Sequence, residues 1–507
     1  MHKRGVIGAL IAGGALIAGV GYALESGSAA PESGEEPPRW WSPGEGRVFP
    51  RSLNYENEHG ELRTLVTGGP METKGHAFFE PFGADGRACV TCHQPADSMS
   101  LSVETARDRW RETNGTDPLF AAFDGSNCPD LPQGERDSHS LLLDYGLIRI
   151  ERPWPPQGTV GAARKPEFRI EIVRDPYGCN SPKRFDARKQ QGAISVYRRP
   201  RPVANMKYLT AVGFPFDPKQ GLPLPLDPET GERLSGNLMA DGRAITLNAQ
   251  MTEASATHLQ MVEDMSADDL KEILDFELRI YAAQQVSAAG GDLEAAGATG
   301  GPKMLENSTP GLLGGDTRPV WSEFQPWENA AAEKDADEKT LEFRRSVARG
   351  ARIFREKTFL ISDSAGINSP IGFGNPVRNS CVFCHNMSAM GNDVAPGQVD
   401  LGTVNAPYAD PAPHLPLFRV TCTGEPHPHL GREILTYDPG FALTTGRCAD
   451  VGKITLQSMR GLAARPPYFS NGSAADLREV IEFYERRYNI GYTEQEKQDL
   501  VNLMSAL

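Results

Sequence analysis

The chain has 507 residues, a formal net charge of −14 and a loop-rich composition with 52 Gly and 40 Pro. That length accommodates two or three domains with cores of their own. The acidic balance, with no basic stretch standing out, argues against nucleic acid as a partner and leaves room for a basic protein.

At the N-terminus Lys3 and Arg4 precede an uncharged run from Gly5 to Leu24. An apolar run of about twenty residues just spans a bilayer. The same pattern reads as a secretory signal, with Gly21-Tyr22-Ala23 as a small-residue cleavage site. Residues 1–30 are therefore expected to be a signal or an inner-membrane anchor, and both send the rest of the chain to the periplasm. A Gly/Pro/Glu-rich tether follows over residues 25–45.

A first domain is expected over residues 31–286. One unit opens near Gly75 as GHAFFEPFGADGRACVTCHQ and carries Cys89, Cys92 and His93 in C-x-x-C-H spacing. Within about 146–198, GLIRIE, EFRIEIV and AISVYRR alternate apolar and polar residues, which predicts a small β insertion. Further on, NAQMTEASATHLQM offers Met251, His258 and Met261 as metal-directed or acid–base groups. The run SADDLKEILDFELRIYAAQQ places Leu270, Ile273, Leu274, Leu278 and Tyr281 on one stripe, predicting a helix capped by Ser266.

Residues 287–302, SAAGGDLEAAGATGGP, have the composition of a flexible connector and begin a linker expected over 287–340. A second domain is expected over 341–507. It starts from SVARGARIFREKTF and reaches NSCVFCHN, with Cys381, Cys384 and His385 in the same spacing. The two units form a weak internal repeat. The segment SAADLREVIEFYERRY puts Leu477, Val480, Ile481, Tyr484 and Tyr488 on one helical face. The final TEQEKQDLVNLMSAL opens on a Thr493/Glu496 capping box.

Four further cysteines remain. In an oxidising compartment they tend to pair, and neighbour pairing gives Cys128–Cys179 and Cys422–Cys448, with free buried thiols as the alternative.

The C-x-x-C-H spacing admits three chemistries. Zinc would need four ligands gathered together and leaves the histidines unexplained. A dithiol redox pair expects a βαβ context that neither unit has. Covalent c-type haem explains every residue: two thiols bond one porphyrin, and the next residue lies under its iron. Two such haems are expected, with His93 and His385 as proximal ligands.

Opposite His385, Met387 and Met390 are tempting. Two extended residues cover only about 7 Å, too short to round the macrocycle, and Met390 is little better placed. Met99 fails after His93 for the same reason. Tyr484 faces a core that is largely haem in a domain of this size, and a buried phenol needs a polar partner. Iron, a haem propionate or an ordinary hydrogen bond all serve. For the first haem, His258 is a ligand, an acid–base group above an open iron, or a surface histidine.

The segment KITLQSMRGLAARPPYFSNGSAADLREVIEFYERRYNIGYTEQEKQDLVNLMSAL resembles the C-terminal part of the bacterial dihaem cytochrome c peroxidase and MauG superfamily. NLMADGRAITLNAQ is similar to that family's Trp-Asp-Gly-Arg segment at Asp241, Gly242 and Arg243. The resemblance covers most of residues 70–507 apart from the β insertion. It implies a mainly α fold: two cytochrome c-like helical domains, the small β insertion sitting in the first. It further implies an open N-terminal haem where peroxide or oxygen reacts and a six-coordinate C-terminal haem. By the same resemblance Tyr484 falls at the second-haem ligand position of MauG-like members, and His258 near the distal acid–base position. Three departures stand out. Ala240 replaces the Trp usually placed between the haems, leaving Trp154 or Trp110 as substitutes or a different electron route. Ser470 and Asn471 replace the His and Asp of His-Asp-Gly. Calcium, held in the family by backbone carbonyls that here fall around Arg465 and Pro467, lacks its usual Asn ligand and stays open.

The function expected is an exported peroxidase-like oxidoreductase, reducing peroxide at the N-terminal haem. Electrons would come from a small periplasmic donor, through the C-terminal haem. The alternatives are a non-catalytic electron-transfer dihaem cytochrome and a haem-dependent oxygenase.

Overall fold

The computed structural model describes residues 37–156, 165–210, 234–310, 318–331, 336–368, 373–386 and 398–507. The signal or anchor segment 1–30, Met387 and Met390 lie outside the described residues. Among those described, no helix is long and apolar enough to cross a membrane.

Among the described residues the fold is not mainly α: helix, 3-10 turns included, accounts for 31% and strand for 20%, in several sheets. The strands follow from pairing partners distant in sequence. A four-stranded antiparallel sheet runs in the order Gly291–Asp292, Ile280–Ser287, Gly60–Val66, Ser52–Asn57. Gly60 sits at φ 137°, where a Cβ would meet the Val286 carbonyl at 2.1 Å, so the hairpin can approach its neighbour only through glycine.

This sheet shortens the helix expected from Ser266. The helix runs Ala267–Glu277, with Ser266 accepting the Asp269 N–H at 3.1 Å as its cap. It then stops, and Ile280–Ser287 pairs with Gly60–Val66, Tyr281 opposite Leu65. The residues from Ile280 to Gln285 are all buried. A one-sided helical stripe does not bury every consecutive residue, whereas a central strand covered on both faces does.

The β region near 146–198 divides between two sheets. Strands Ile148–Trp154 and Gln191–Arg198 pair antiparallel, joined by Phe185–Asp186. Strand Phe168–Arg174 instead pairs with Leu417–Cys422, which pairs with Glu433–Thr436. The predicted alternation holds there: Phe168 and Ile170 are buried, while Arg169 and Glu171 face outward. Glu171 meets Arg419 across the strands at 2.7 Å. The β region is therefore no insertion confined to the first half; one of its strands is completed by the second.

The late helices follow the periodicity more closely. Helix Glu494–Ser505 opens on the Thr493/Glu496 capping box. It packs along Glu338–Glu356, where Asp499 accepts from Ser346 Oγ at 2.6 Å and from Arg349 at 3.0 and 2.9 Å. Helix Leu477–Tyr488 starts three residues later than Ser473–Ala474 would suggest, because the Asp476 carboxylate caps it by accepting the Glu479 N–H at 2.8 Å.

Both neighbour-paired disulfides are present, Cys128–Cys179 and Cys422–Cys448. The first closes a separation of 51 residues. Replacing Cys128 and Cys179 together by alanine is expected to cost about 2–4 kcal/mol, through the freedom returned to the unfolded chain. Denaturant midpoints of the two proteins check this.

Candidate functional site

Each C-x-x-C-H unit lines its own cavity. The first cavity, about 1240 Å³ including its mouth, holds Cys89, Cys92 and His93 on one side. Cys89–Thr91 forms a tight 3-10 turn, fixed by Ala88 N–H donating to Thr91 Oγ1 at 3.0 Å. Beyond it Ser98 and Met99 both take positive φ, 58° and 56°. That turn brings the Met99 carbonyl to 3.1 Å from His93 Nδ1. With Nδ1–H donated to a carbonyl, Nε2 carries the free lone pair, the arrangement a metal-binding imidazole needs. Burial also lowers the His93 pKa to about 4, keeping the ring neutral. Met99 itself is a buried core residue beside this turn.

Facing the turn is helix Leu247–His258, capped by Thr246. Met251, Ala254, Ser255 and His258 line the cavity from this helix, the i, i+3, i+4, i+7 stripe. His258 and His93 lie close enough that the charge of one depresses the pKa of the other. His258 Nδ1 is 2.7 Å from Asp124 Oδ2. Arg87 braces the same carboxylate at 3.4 Å, and Asp124 Oδ1 is buried without a hydrogen-bond partner. Met261 packs against the core and does not line the cavity.

One wall carries an unexpected acid. Glu277 is buried, its Oε2 has no partner, and burial alone raises its pKa to about 8. The native state thus holds a proton that the unfolded chain releases near the ordinary carboxyl pKa, so stability falls as pH rises from about 5 to 8. Glu277→Gln is expected to flatten that slope, as urea midpoints at the two pH values will show.

The second cavity, about 1410 Å³, is lined by Cys381, Cys384 and His385. Across from them stand Leu477, Val480, Ile481, Tyr484 and Tyr488, the stripe read from the sequence. The tyrosines differ in their partners. Tyr488 Oη is 2.8 Å from Ser364 Oγ, and Tyr492 Oη is 3.8 Å from Cys381 Sγ. The Tyr484 hydroxyl has no hydrogen-bond partner among the described residues, and burial raises its pKa well above the ordinary phenol value.

The two cavities adjoin. Thr455 N–H donates to the Ala240 carbonyl at 2.8 Å, and Ala240 lines the first cavity while Thr455 lines the second. No tryptophan lines either cavity. Trp154 packs on Phe168 and Trp110 on Phe120, each with ring centroids 4.8 Å apart. The neighbourhood also holds a buried ionic network. Arg198 grips Asp438 with Nε at 2.6 Å and Nη2 at 3.0 Å, and donates Nη1 to Asp241 at 2.7 Å. Asp241 also accepts from Arg243 at 2.7 Å, and Arg243 reaches Glu253 at the same distance. Burial would raise the Asp241 carboxyl, yet Arg243, Arg198 and Arg152 together hold it well below the usual carboxylate range.

The donor sets fit haem. Each cavity offers two thiols, a histidine and mostly apolar walls. The thiols of Cys89 and Cys92 are pushed by burial up to about 12, the opposite of an activated redox dithiol. The two cysteine pairs line separate cavities, and no cluster of three His, Cys, Asp or Glu that would hold a metal ion occurs among the described residues. The Arg465 carbonyl, one of the backbone oxygens expected near calcium, accepts from the Arg199 guanidinium at 2.7 Å.

Asp124 escapes sequence reasoning because it lies 134 residues from His258, in an FDGSN turn that looks like any loop. Arg199 and Arg201 carry a signal that was there to read: three arginines in RRPRP, directly after an apolar strand.

No family model matches the chain. Over 147 residues it is 33% identical to the cytochrome-c peroxidase IdrP1 of Pseudomonas sp. (strain SCT), covering 26% of this chain and 37% of that protein. Over 81 residues it is 35% identical to the IdrP1 of Denitromonas iodatirespirans, covering 14% and 22%. The matches thus span well under half of these relatives' length. A crystal structure of a MauG-like protein associated with microbial copper homeostasis aligns with 60% of this chain and 82% of its own, at 15% identity and a TM-score of 0.26. The sequence matches show a partial similarity to proteins named cytochrome-c peroxidase.

Proposed function

We propose that the chain is a periplasmic dihaem c-type oxidoreductase in which peroxide reacts in the first cavity and electrons enter through the second. The observation that carries this reading is the His258–Asp124 pair, which faces His93 across the first cavity. When bound, each haem would supply a redox-active iron, the first one to peroxide. The protein supplies the rest. Cys89 and Cys92 tether the first haem, Cys381 and Cys384 the second. The Met99 carbonyl holds the His93 Nδ1–H and aims Nε2 at the iron.

Asp124 accepts the Nδ1–H of His258, which leaves Nε2 as the base. That nitrogen takes the proton from one peroxide oxygen and returns it to the other; with two electrons from the donor and two further protons from solvent, the O–O bond breaks and both oxygens leave as water. The carboxylate keeps the imidazole in the right tautomer throughout. In the second cavity, Tyr484 would hold the iron together with His385, a role supported by its unpartnered hydroxyl. The reducing equivalents come from a small periplasmic donor. The two disulfides agree with an oxidising compartment.

Tyr484→Phe tests the second cavity. The variant is expected to change the absorption and EPR spectrum of one haem only and leave the other untouched. An unaltered spectrum would remove Tyr484 as a ligand.

A further inference from the structure

Three arginines where the cavities adjoin form no ion pair with an acid among the described residues. Arg199 and Arg201 line the first cavity and Arg465 lines the second. Arg199 donates to the carbonyls of Arg465 and Leu101, both at 2.7 Å. Arg201 donates to the carbonyls of Thr455 at 3.0 Å and Leu456 at 2.8 Å, two residues of the second cavity's wall. Arg465 donates to Gln457 Oε1 at 3.4 Å and to the carbonyls of Ser458 and Arg460. None of the three has a carboxylate within ion-pair distance among the described residues. Asp241, whose charge Arg201 feels, is already shared by Arg198 and Arg243, and Asp97, whose charge Arg199 feels, accepts from Ser102 N–H and Thr105 Oγ1. Arg199 and Arg465 are 5% and 3% exposed, and the Nε of each is buried without a partner.

A buried guanidinium served only by carbonyls is strongly disfavoured, and three together repel. Burial and this repulsion depress Arg199 to about 9 and Arg201 to about 10, with burial alone bringing Arg465 to about 10. Arginine is the side chain best shaped to grip a carboxylate with parallel N–H donors. Something anionic must complete this cluster, and it must be reachable from both cavities.

We infer that Arg199, Arg201 and Arg465 form one carboxylate-binding seam shared by the two cavities, and that it holds the propionate carboxylates of both haems. The inference rests on the haem reading of the cavities. It gives the pair of haems a common electrostatic floor: cations that favour the reduced state of each.

Covalent haem content of the purified wild-type protein is measured first, followed by potentiometric titrations of Arg201→Gln, Arg465→Gln and the corresponding Lys variants. Each Gln variant is expected to lower the reduction potential of the haem on its own side. The expected loss is about tenfold in the reduction equilibrium, or about 59 mV for one electron. The Lys variants keep the charge, are the safer ones to fold, and should recover most of the shift. Wild-type protein without covalent haem overturns the cavity reading and the seam with it. Two haems whose potentials stay unchanged in both Gln variants overturn the seam alone. A wild-type potential that moves with added phosphate at constant ionic strength assigns the cluster to an exchangeable inorganic anion, and also overturns the seam.

Discussion

His258→Ala is expected to lower the second-order rate of reaction with peroxide by on the order of 10²–10⁴, the usual worth of a positioned acid–base group. That corresponds to about 3–5 kcal/mol of barrier. The effect should fall on peroxide chemistry alone, because His258 lies across the first cavity and takes no part in either C-x-x-C-H loop. Haem loading and the spectrum of the second haem should therefore be unchanged. Asp124→Asn is the sharper companion. It keeps the shape but replaces the acceptor at 2.7 Å from Nδ1 with an amide able to donate. The wrong tautomer then presents a protonated Nε2 to the substrate. A loss approaching that of His258→Ala, with the double variant hardly worse than either single one, identifies the pair as one unit. Stopped-flow absorption against peroxide concentration reads all three.

The largest stability effect is expected at Arg198. Its guanidinium is 2% exposed and serves two carboxylates, Asp241 and Asp438, from opposite halves of the chain. Arg198→Met removes the cation and leaves both acids buried. Truncating one member of a buried ionic network typically costs about 3–5 kcal/mol. Arg243 retains a hold on Asp241, so the greater part of the cost should arise at Asp438. Asp438→Asn in the Arg198→Met background should accordingly restore stability. Urea midpoints of the single and double variants measure this. An equal loss in both would place the cost in packing instead.

The parts of this molecule legible from its sequence are those whose signals are local. The C-x-x-C-H spacing located both cysteine–histidine loops. The 3.6-residue stripe from Leu477 to Tyr488 identified in advance the residues that wall the second cavity, and the Thr493/Glu496 box marked a helix start to the residue. Neighbouring cysteines paired as neighbours.

What the sequence hid is set by partners far along the chain. Ile280–Ser287 reads as the tail of a helix until Gly60–Val66 offers it a ladder. Phe168–Arg174 looks like part of a local insertion until Leu417–Cys422 pairs with it. These pairings are why the mainly α expectation failed. The site shows the same division. His258 stood out as a histidine on a helix, yet its meaning comes from Asp124, a carboxylate in an unremarked turn. The buried arginines drew no notice because average charge is acidic, and burial rather than composition makes them consequential.

EPR of the fully oxidised protein before and after peroxide distinguishes an open first haem from a closed one. The expected result is one high-spin signal from an open first haem, lost on adding peroxide, beside a low-spin signal from a six-coordinate second haem. Two low-spin signals, unmoved by peroxide in both the oxidised and half-reduced protein, would contradict it and leave an electron carrier instead.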